Sequence, residues 1–330
     1  MMRRMFLGLT AALAAALAVG SAQAATVLRL STQVAPPHPF LDMADYFKSE
    51  VEKQTNGEVQ VKIFPNASLG KDDAVLNELK LGTIDLMISS TNNAAKQLPQ
   101  FQIFDLYYIF PNYDSFNAAT APESPVFKRL QEIADSRGLG IKILALFGSG
   151  TRNLSVASKP VETLADIKGI KMRVPASQIV AKSWEALGTV PVTVAWPELY
   201  AAIQTGVAQG LESTLSGYLG SKLYEVAPNL VLTQHSINGS HFSMGERSWK
   251  KLTPEQQAIV QKVATEAGKL GTQKGIEADD KLAGVLETEH GVTVTRPDLA
   301  PFVEAMKPLH DEFAEQIQAT DLLELVRGMM

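Results

Sequence analysis

Two stretches far apart in the chain share one pattern. Leu76-Asn77-Glu78-Leu79-Lys80-Leu81 has helical spacing, Gly82 follows, and Thr83-Ile84-Asp85 turns into a strand. Tyr200-Ala201-Ala202-Ile203-Gln204-Thr205 repeats the helix, Gly206 the stop and Val207-Ala208-Gln209 the strand. Glycine tolerates the left-handed backbone that ends a helix sharply, so each unit fixes where the chain turns back onto a sheet. Strands alternating with helices build βαβ units, and one in each half calls for two similar α/β domains facing each other. A chain of 330 residues is long enough for both.

The flanking sequence agrees. Val27–Ser31 is a strand-like run, and the prolines of Val34-Ala35-Pro36-Pro37-His38-Pro39 forbid regular structure before a helix over Leu41–Gln54. Val59, Val61 and Ile63 alternate as a half-buried strand closed by Pro65. The turn Leu69-Gly70-Lys71-Asp72 leads into a helix over Asp73–Leu81. The buried run Ile84–Ile88 then empties into Ser89-Ser90-Thr91-Asn92-Asn93. Open α/β sheets hold ligands beyond the carboxyl ends of their strands, so this loop is either a pocket wall or an ordinary polar turn. Phe101, Phe104, Tyr107, Tyr108 and Phe110 read mostly as core, and Ser115–Arg137 as helix. Ile141–Phe147, Val231–Thr233 and Phe242–Met244 read as strands. Thr253-Pro254-Glu255-Gln256 is a capping box with proline at the first helical position. The helix it starts continues to about Glu289, roughly 50 Å, enough to cross both lobes. Val292–Val294 is a last short strand, and Asp298–Met329 is mostly helical.

The first 24 residues stand outside this pattern. Met1-Met2-Arg3-Arg4 is a positive start, Leu7–Val19 an apolar run too short for a membrane span, and Ala22-Gln23-Ala24 a small-x-small cleavage site. We read residues 1–24 as a signal peptide cleaved after Ala24, with an uncleaved N-terminal membrane anchor as the alternative. Its loss takes the formal net charge from −5 to about −7, which argues against nucleic acid as a partner. The chain contains no cysteine, which excludes disulfides, thiol catalysis, thiolate metal sites and a lipid-modified cysteine. No H-E-x-x-H motif or His/Asp ligand cluster implies a metal, and no cofactor motif is present. With no second long apolar run, the expectation is an exported, soluble protein of a bacterial periplasm.

Chemistry concentrates between Gly150 and Ser213. Arg152 and Arg173 stand among apolar residues with no run of acids beside them. A guanidinium carries five donors in a planar fork matched to carboxylate or phosphate. Either these arginines find acidic partners elsewhere in the fold, or they await an anion that is not part of the protein. Arg173 alternates with Ile170 and Met172 on a short strand ended by Pro175. It therefore points away from their face, either exposed and paired with a carboxylate or turned to a ligand. Gly148-Ser149-Gly150 lacks the G-x-S-x-G elbow of a serine hydrolase.

Several runs, in this order, resemble the extracytoplasmic solute-binding proteins of TRAP transporters, the DctP type. They are Phe64-Pro65-Asn66-Ala67-Ser68-Leu69-Gly70, Leu81-Gly82-Thr83-Ile84-Asp85, Gly169-Ile170-Lys171-Met172-Arg173-Val174-Pro175 and Glu198-Leu199-Tyr200-Ala201-Ala202-Ile203-Gln204-Thr205-Gly206. Lys222–Val226 and Pro297–Phe302 add to them, and the likeness covers essentially the whole mature chain. It implies a two-lobed α/β periplasmic binding protein with a ligand cleft between the lobes and a long helix crossing both. Residues 25–149 with 239–278 would form lobe I, and 150–238 with 279–330 lobe II. The family's carboxylate anchor, the arginine of its K-x-R-x-P run, falls on Arg173, and a second arginine falls on Arg152.

The departures bear on the ligand. Where the family commonly has Asp-Gly-x-Glu-Asn, this chain has Gln209-Gly210-Leu211-Glu212-Ser213, so Ser213 replaces a longer ligand-contacting asparagine. Ser90 and Asn93 stand where the sialic-acid branch carries glutamate and arginine, and Gln33 where it has asparagine, which argues against sialic acid. Trp196 replaces a common phenylalanine, either as a stacking wall for a sugar ring or aromatic acid or as lobe packing. His38 falls where the family lines its cleft, and Asp72 joins the candidate ligand-binding residues from its turn. His235 and His241 read as structural.

The expectation is a non-enzymatic periplasmic receptor that binds a small organic acid and hands it to a TRAP membrane permease. Dicarboxylates, keto acids, uronic acids and aromatic acids all remain open. A periplasmic enzyme on an organic acid, and a sensor presenting ligand to a membrane kinase, are the alternatives.

Overall fold

The computed structural model describes residues 25–330; the signal peptide read at 1–24 lies outside them. The nine strands found there, in chain order, are β1 (Thr26–Ser31), β2 (Val59–Phe64), β3 (Leu86–Ser90), β4 (Ile141–Val156), β5 (Lys171–Val174), β6 (Val190–Thr193), β7 (Gly210–Thr214), β8 (Asn229–Gly245) and β9 (Thr293–Thr295). They join one path, β2-β1-β3-β8-β4-β7-β5-β6, with β9 on β8. Two long antiparallel strands, β4 and β8, form its middle. β3 pairs with the second half of β8 at Leu86–Met244 through Ser90–Ser240, whereas β7 pairs with the second half of β4 at Arg152–Thr214 through Val156–Gly210. Each long strand therefore serves a first-half sheet at one end and a second-half sheet at the other. The register slips between Gly148 and Thr151 and again between Arg152 and Leu154, where the pair crosses from one to the other.

The helices are α1 (Pro39–Gln54), α2 (Asp72–Leu81), α3 (Tyr113–Thr120), α4 (Pro125–Ser136), α5 (Gln178–Ala186), α6 (Leu199–Gln204), α7 (Leu215–Gly220), α8 (Glu246–Trp249), α9 (Pro254–His290), α10 (Ala300–Met306), α11 (His310–Gln316) and α12 (Thr320–Arg327). Gly82 ends α2 in the left-handed conformation, and Gly206 has φ +74° where the second unit stops. At the start of α9, Thr253 accepts from Gln256 N and the Gln256 side chain returns the bond, so the capping box forms as its sequence predicts. Val260, Val263, Ala264 and Ala267 of α9 pack with Leu28, Val61 and Phe242, while Ala283 and Leu286 pack with Leu199, Leu211 and Leu230. One 37-residue helix thus belongs to the cores of both halves. No described helix is long and apolar enough to cross a membrane.

Four expectations differ from the structure. Val231–Thr233 and Phe242–Met244 are not separate strands but parts of β8, and β4 continues past Phe147 to Val156. Their glycines look like breaks in sequence, yet the strands run on because β4 and β8 stay paired with each other on either side of them, from Ile141–Gly245 to Val156–Asn229. The helix read over Ser115–Arg137 is two, parted at Ala121-Pro122-Glu123-Ser124, because proline removes a donor and Ser124 caps the second. The sequence likeness places residues 279–330 in lobe II. Phe313, Ile317, Leu322, Leu323 and Val326 instead pack with Val75, Leu79, Phe101 and Leu130, against the first-half core. An amphipathic stripe says that a helix is buried, not which core receives it.

Candidate functional site

A narrow cleft lies where the two sheets meet at the crossing strands. Gln33, Val34, His38, Phe40, Ser89, Ser90, Asn92 and Asn93 line it from the first half. Arg152, Arg173, Pro175, Trp196, Ser213, Thr214, Gly217 and Asn238 complete it. Eight of the nine residues singled out in the sequence are among these, and Asp72 is not. The halves touch around the cleft: Lys71 Nζ lies 2.6 Å from Glu198 Oε1, and Asn238 donates to Ser90 Oγ at 2.9 Å.

The two arginines resolve differently. β5 lies between β6 and β7, and Arg173, level with Val192 and Leu211, is only 1 % exposed. Its Nε donates to the Val194 carbonyl at 2.8 Å, and its guanidinium carbon lies 5.7 Å from the Trp196 ring centroid. No described carboxylate forms an ion pair with it. Burial therefore pushes its pKa down to about 10, with Glu212 pulling it up and Arg152 pushing it down. It stays protonated at neutral pH, a buried cation without a counter-charge of its own.

Arg152 on β4 has found its partner. Its Nε and Nη2 fork onto the two carboxylate oxygens of Glu212, Nη2 also reaches the Glu212 carbonyl at 3.2 Å, and Nη1 donates to Asn238 Oδ1 at 2.7 Å. Glu212 is 0 % exposed. Burial pushes its pKa up, but Arg152 and His235 outweigh that and hold it well below the usual carboxylate range. Arg152 faces the cleft with its charge matched and four of its five donor hydrogens committed. His235, expected to be structural, joins this cluster at 3.4 Å from Glu212 Oε2.

The first-half wall is neutral and polar. His38 caps α1, its Nδ1 accepting from Phe40 N at 3.2 Å, so the neutral ring carries its proton on Nε2. Burial pushes its pKa down to about 3, and it remains uncharged. Asp72 sits behind the wall at the first position of α2. Its Oδ2 accepts from Gln33 Nε2 at 2.7 Å, from Asn93 Nδ2 at 2.9 Å and from Ser89 Oγ. Burial pushes its pKa up to about 7 against the pull of Ser89 and Asn93. Ser213 spends its hydroxyl on the adjacent Thr214 carbonyl at 3.0 Å, and a Cβ on Gly217 would stand 2.8 Å from Ser213 Oγ. That glycine leaves room beside Ser213 and Trp196.

Sequence reasoning missed Asn238, which ties Arg152 to Ser90 and Ser149, and it missed that Glu212 would neutralise Arg152. Glu212 stood in a quoted motif; only the pairing of β4 with β7 brings it to Arg152. Among the described residues no group of three or more His, Asp or Glu could hold a metal ion.

A pair of α/β halves closed over a cleft that presents one unmatched cation is the architecture of a solute-binding protein. Residues 30–316 match the DctP model, described as bacterial extracellular solute-binding protein, family 7, and the chain belongs to that family of TRAP-type binding proteins rather than to an enzyme family. It is 35% identical over 322 residues to a solute-binding protein of Sulfitobacter sp. strain NAS-14.1, covering 96% of each chain. It is 31% identical over 313 residues to the C4-dicarboxylate-binding periplasmic protein DctP of Rhodobacter capsulatus, covering 93% and 92%. A solved TRAP periplasmic solute-binding protein from Sulfitobacter sp. NAS-14.1, with bound α-D-taluronate, superposes with a TM-score of 0.84 at 34% identity, covering 92% of this chain and 97% of that one.

Proposed function

We propose that this protein is a periplasmic receptor that captures a small monoanionic acid through an Arg173–carboxylate contact, closes its lobes on it and delivers it to a TRAP membrane permease. The observation that carries the reading is Arg173, a buried guanidinium in the cleft with no acid of its own. A carboxylate arriving there supplies the missing counter-charge through charge-assisted, bidentate hydrogen bonds. Arg152 and Glu212 cancel, so the lining has one positive charge in excess and not two, which favours one carboxylate over a dicarboxylate. Trp196 beside Arg173 suits a sugar ring, and a uronate is what the Sulfitobacter structure holds.

Export with cleavage after Ala24 and a hinge where β4 and β8 cross belong to the same reading. A thermal-shift panel of uronates, aldonates, keto acids, aromatic acids and dicarboxylates tests it. A ligand at a hundred times its Kd adds about 2.7 kcal/mol to stability. Monocarboxylates should stabilise the protein more than succinate or malate. Stabilisation by dicarboxylates alone, or by no acid at all, would overturn it.

A further inference from the structure

Asp72 touches no cleft surface, yet it holds three groups that do. We propose that Asp72 is a positioning residue that sets ligand specificity: by binding the amide nitrogens of Gln33 and Asn93 it leaves their carbonyl oxygens for ligand hydroxyls. The inference deepens the reading above and rests on it, since it assumes that an acid occupies the cleft.

The geometry is specific. Gln33 lies in the loop after β1, Ser89 and Asn93 at and after the end of β3, and Asp72 at the start of α2, 6 % exposed. One carboxylate oxygen, Oδ2, accepts from Gln33 Nε2, Asn93 Nδ2 and Ser89 Oγ. Oδ2 accepts from all three whether the carboxyl is ionised or carries its proton on Oδ1, so both amides turn their nitrogens to it. Their oxygens are then the ends left over. Neither accepts a hydrogen bond from a described residue, and both side chains line the cleft. Ser89, which donates to Asp72 and accepts from Asn93 at 3.3 Å, is used up within the network.

The two walls therefore differ in kind. The second-half wall offers the Arg173 fork to a carboxylate, and the first-half wall offers two amide oxygens to hydroxyl donors. A polyhydroxy acid satisfies both. An acid without hydroxyls leaves two acceptors desolvated and unpaired when the lobes close, and sites built this way reject ligands that lack the donor.

The test is isothermal titration of the mature protein with D-taluronate, D-galacturonate and D-glucuronate, each compared with cyclohexanecarboxylate, which keeps the ring and carboxylate but lacks the hydroxyls. Wild type should prefer a uronate. Asp72→Asn is nearly isosteric but offers a donor as well as an acceptor, so it no longer dictates how the amides point. It should weaken uronate binding by about tenfold while moving cyclohexanecarboxylate by about twofold or less. Gln33→Met, which removes one acceptor and leaves Asp72 in place, should give part of the same loss. Equal weakening of both ligand types, or no change in either, would overturn the assignment of Asp72. Wild type that binds none of these acids would instead overturn the functional reading, and this inference with it.

Discussion

Replacing Arg173 by methionine keeps most of the side-chain stem and removes the charge. Truncating one partner of a buried, hydrogen-bonded charge pair costs about 2–5 kcal/mol, so acid affinity should fall by between about 30-fold and a few thousand-fold. The effect on the ligand-free protein runs the other way. Burial that takes Arg173 down to about 10 makes its charge cost roughly 3 kcal/mol in the fold, at about 1.4 kcal/mol for each pKa unit. Against that, the variant loses one hydrogen bond, to Val194 O, worth about 1 kcal/mol, and a guanidinium–indole contact worth about 0.5–1 kcal/mol. The net is a gain on the order of 1 kcal/mol. Arg173→Met should therefore unfold at or slightly above the wild-type temperature without ligand and show no ligand-induced shift. Calorimetric unfolding and isothermal titration on the same preparations read both quantities. A variant that keeps its acid affinity within about threefold, or loses several kcal/mol of stability, would refute the reasoning and make Arg173 a structural residue.

Three further outcomes follow from the same geometry. Glu212→Gln strands the buried Arg152 charge and should cost about 3–5 kcal/mol by denaturant unfolding, because removing one member of a buried pair leaves the other uncompensated. Asp105 sits behind the site with Ser177 Oγ at 2.7 Å, and burial pushes its pKa up to about 7 against the pull of Ser177 and Arg152. Between pH of about 4 and 7 the folded protein keeps a proton that the unfolded chain has lost, so this group's contribution to stability declines as pH rises through that window. Asp105→Asn should gain on wild type between pH 5 and pH 8, by at most about 3 kcal/mol in paired unfolding curves. Gly275→Ala would put a Cβ 2.6 Å from the Ser149 carbonyl carbon and closer still to Gly150 N, and it should lower stability by about 1–3 kcal/mol or more in the same assay.

What could be read from the sequence was what depends on neighbours in sequence. The ends of α2 and α9 were legible because Gly82 and the Thr253–Gln256 box act within one turn. Arg173 was legible as a cation without a nearby acid in sequence, and the polar loop Ser89–Asn93 as one of two things, a wall or an ordinary turn, because strand ends point to the site but polar composition alone does not choose. The fate of Arg152 was not, since Glu212 reaches it only through the register of β4 with β7. The role of Asp72 depends on three segments meeting at one oxygen. The length of β4 and β8 was hidden as well, because strands that pass between two sheets change which face is buried and lose their alternation.

The glycines of α9 carry a consequence for motion. Gly268, Gly271 and Gly275 lay the helix backbone on β4, where added Cβ atoms would meet Ala145, Phe147 and Ser149. The last of these falls where the crossing strands slip register. α9 is therefore splinted across the strand crossing, with about ten turns and about 55 Å of helix packed on both halves. In the hinge proposed above, closure bends α9 and its elastic cost is shared along the rod.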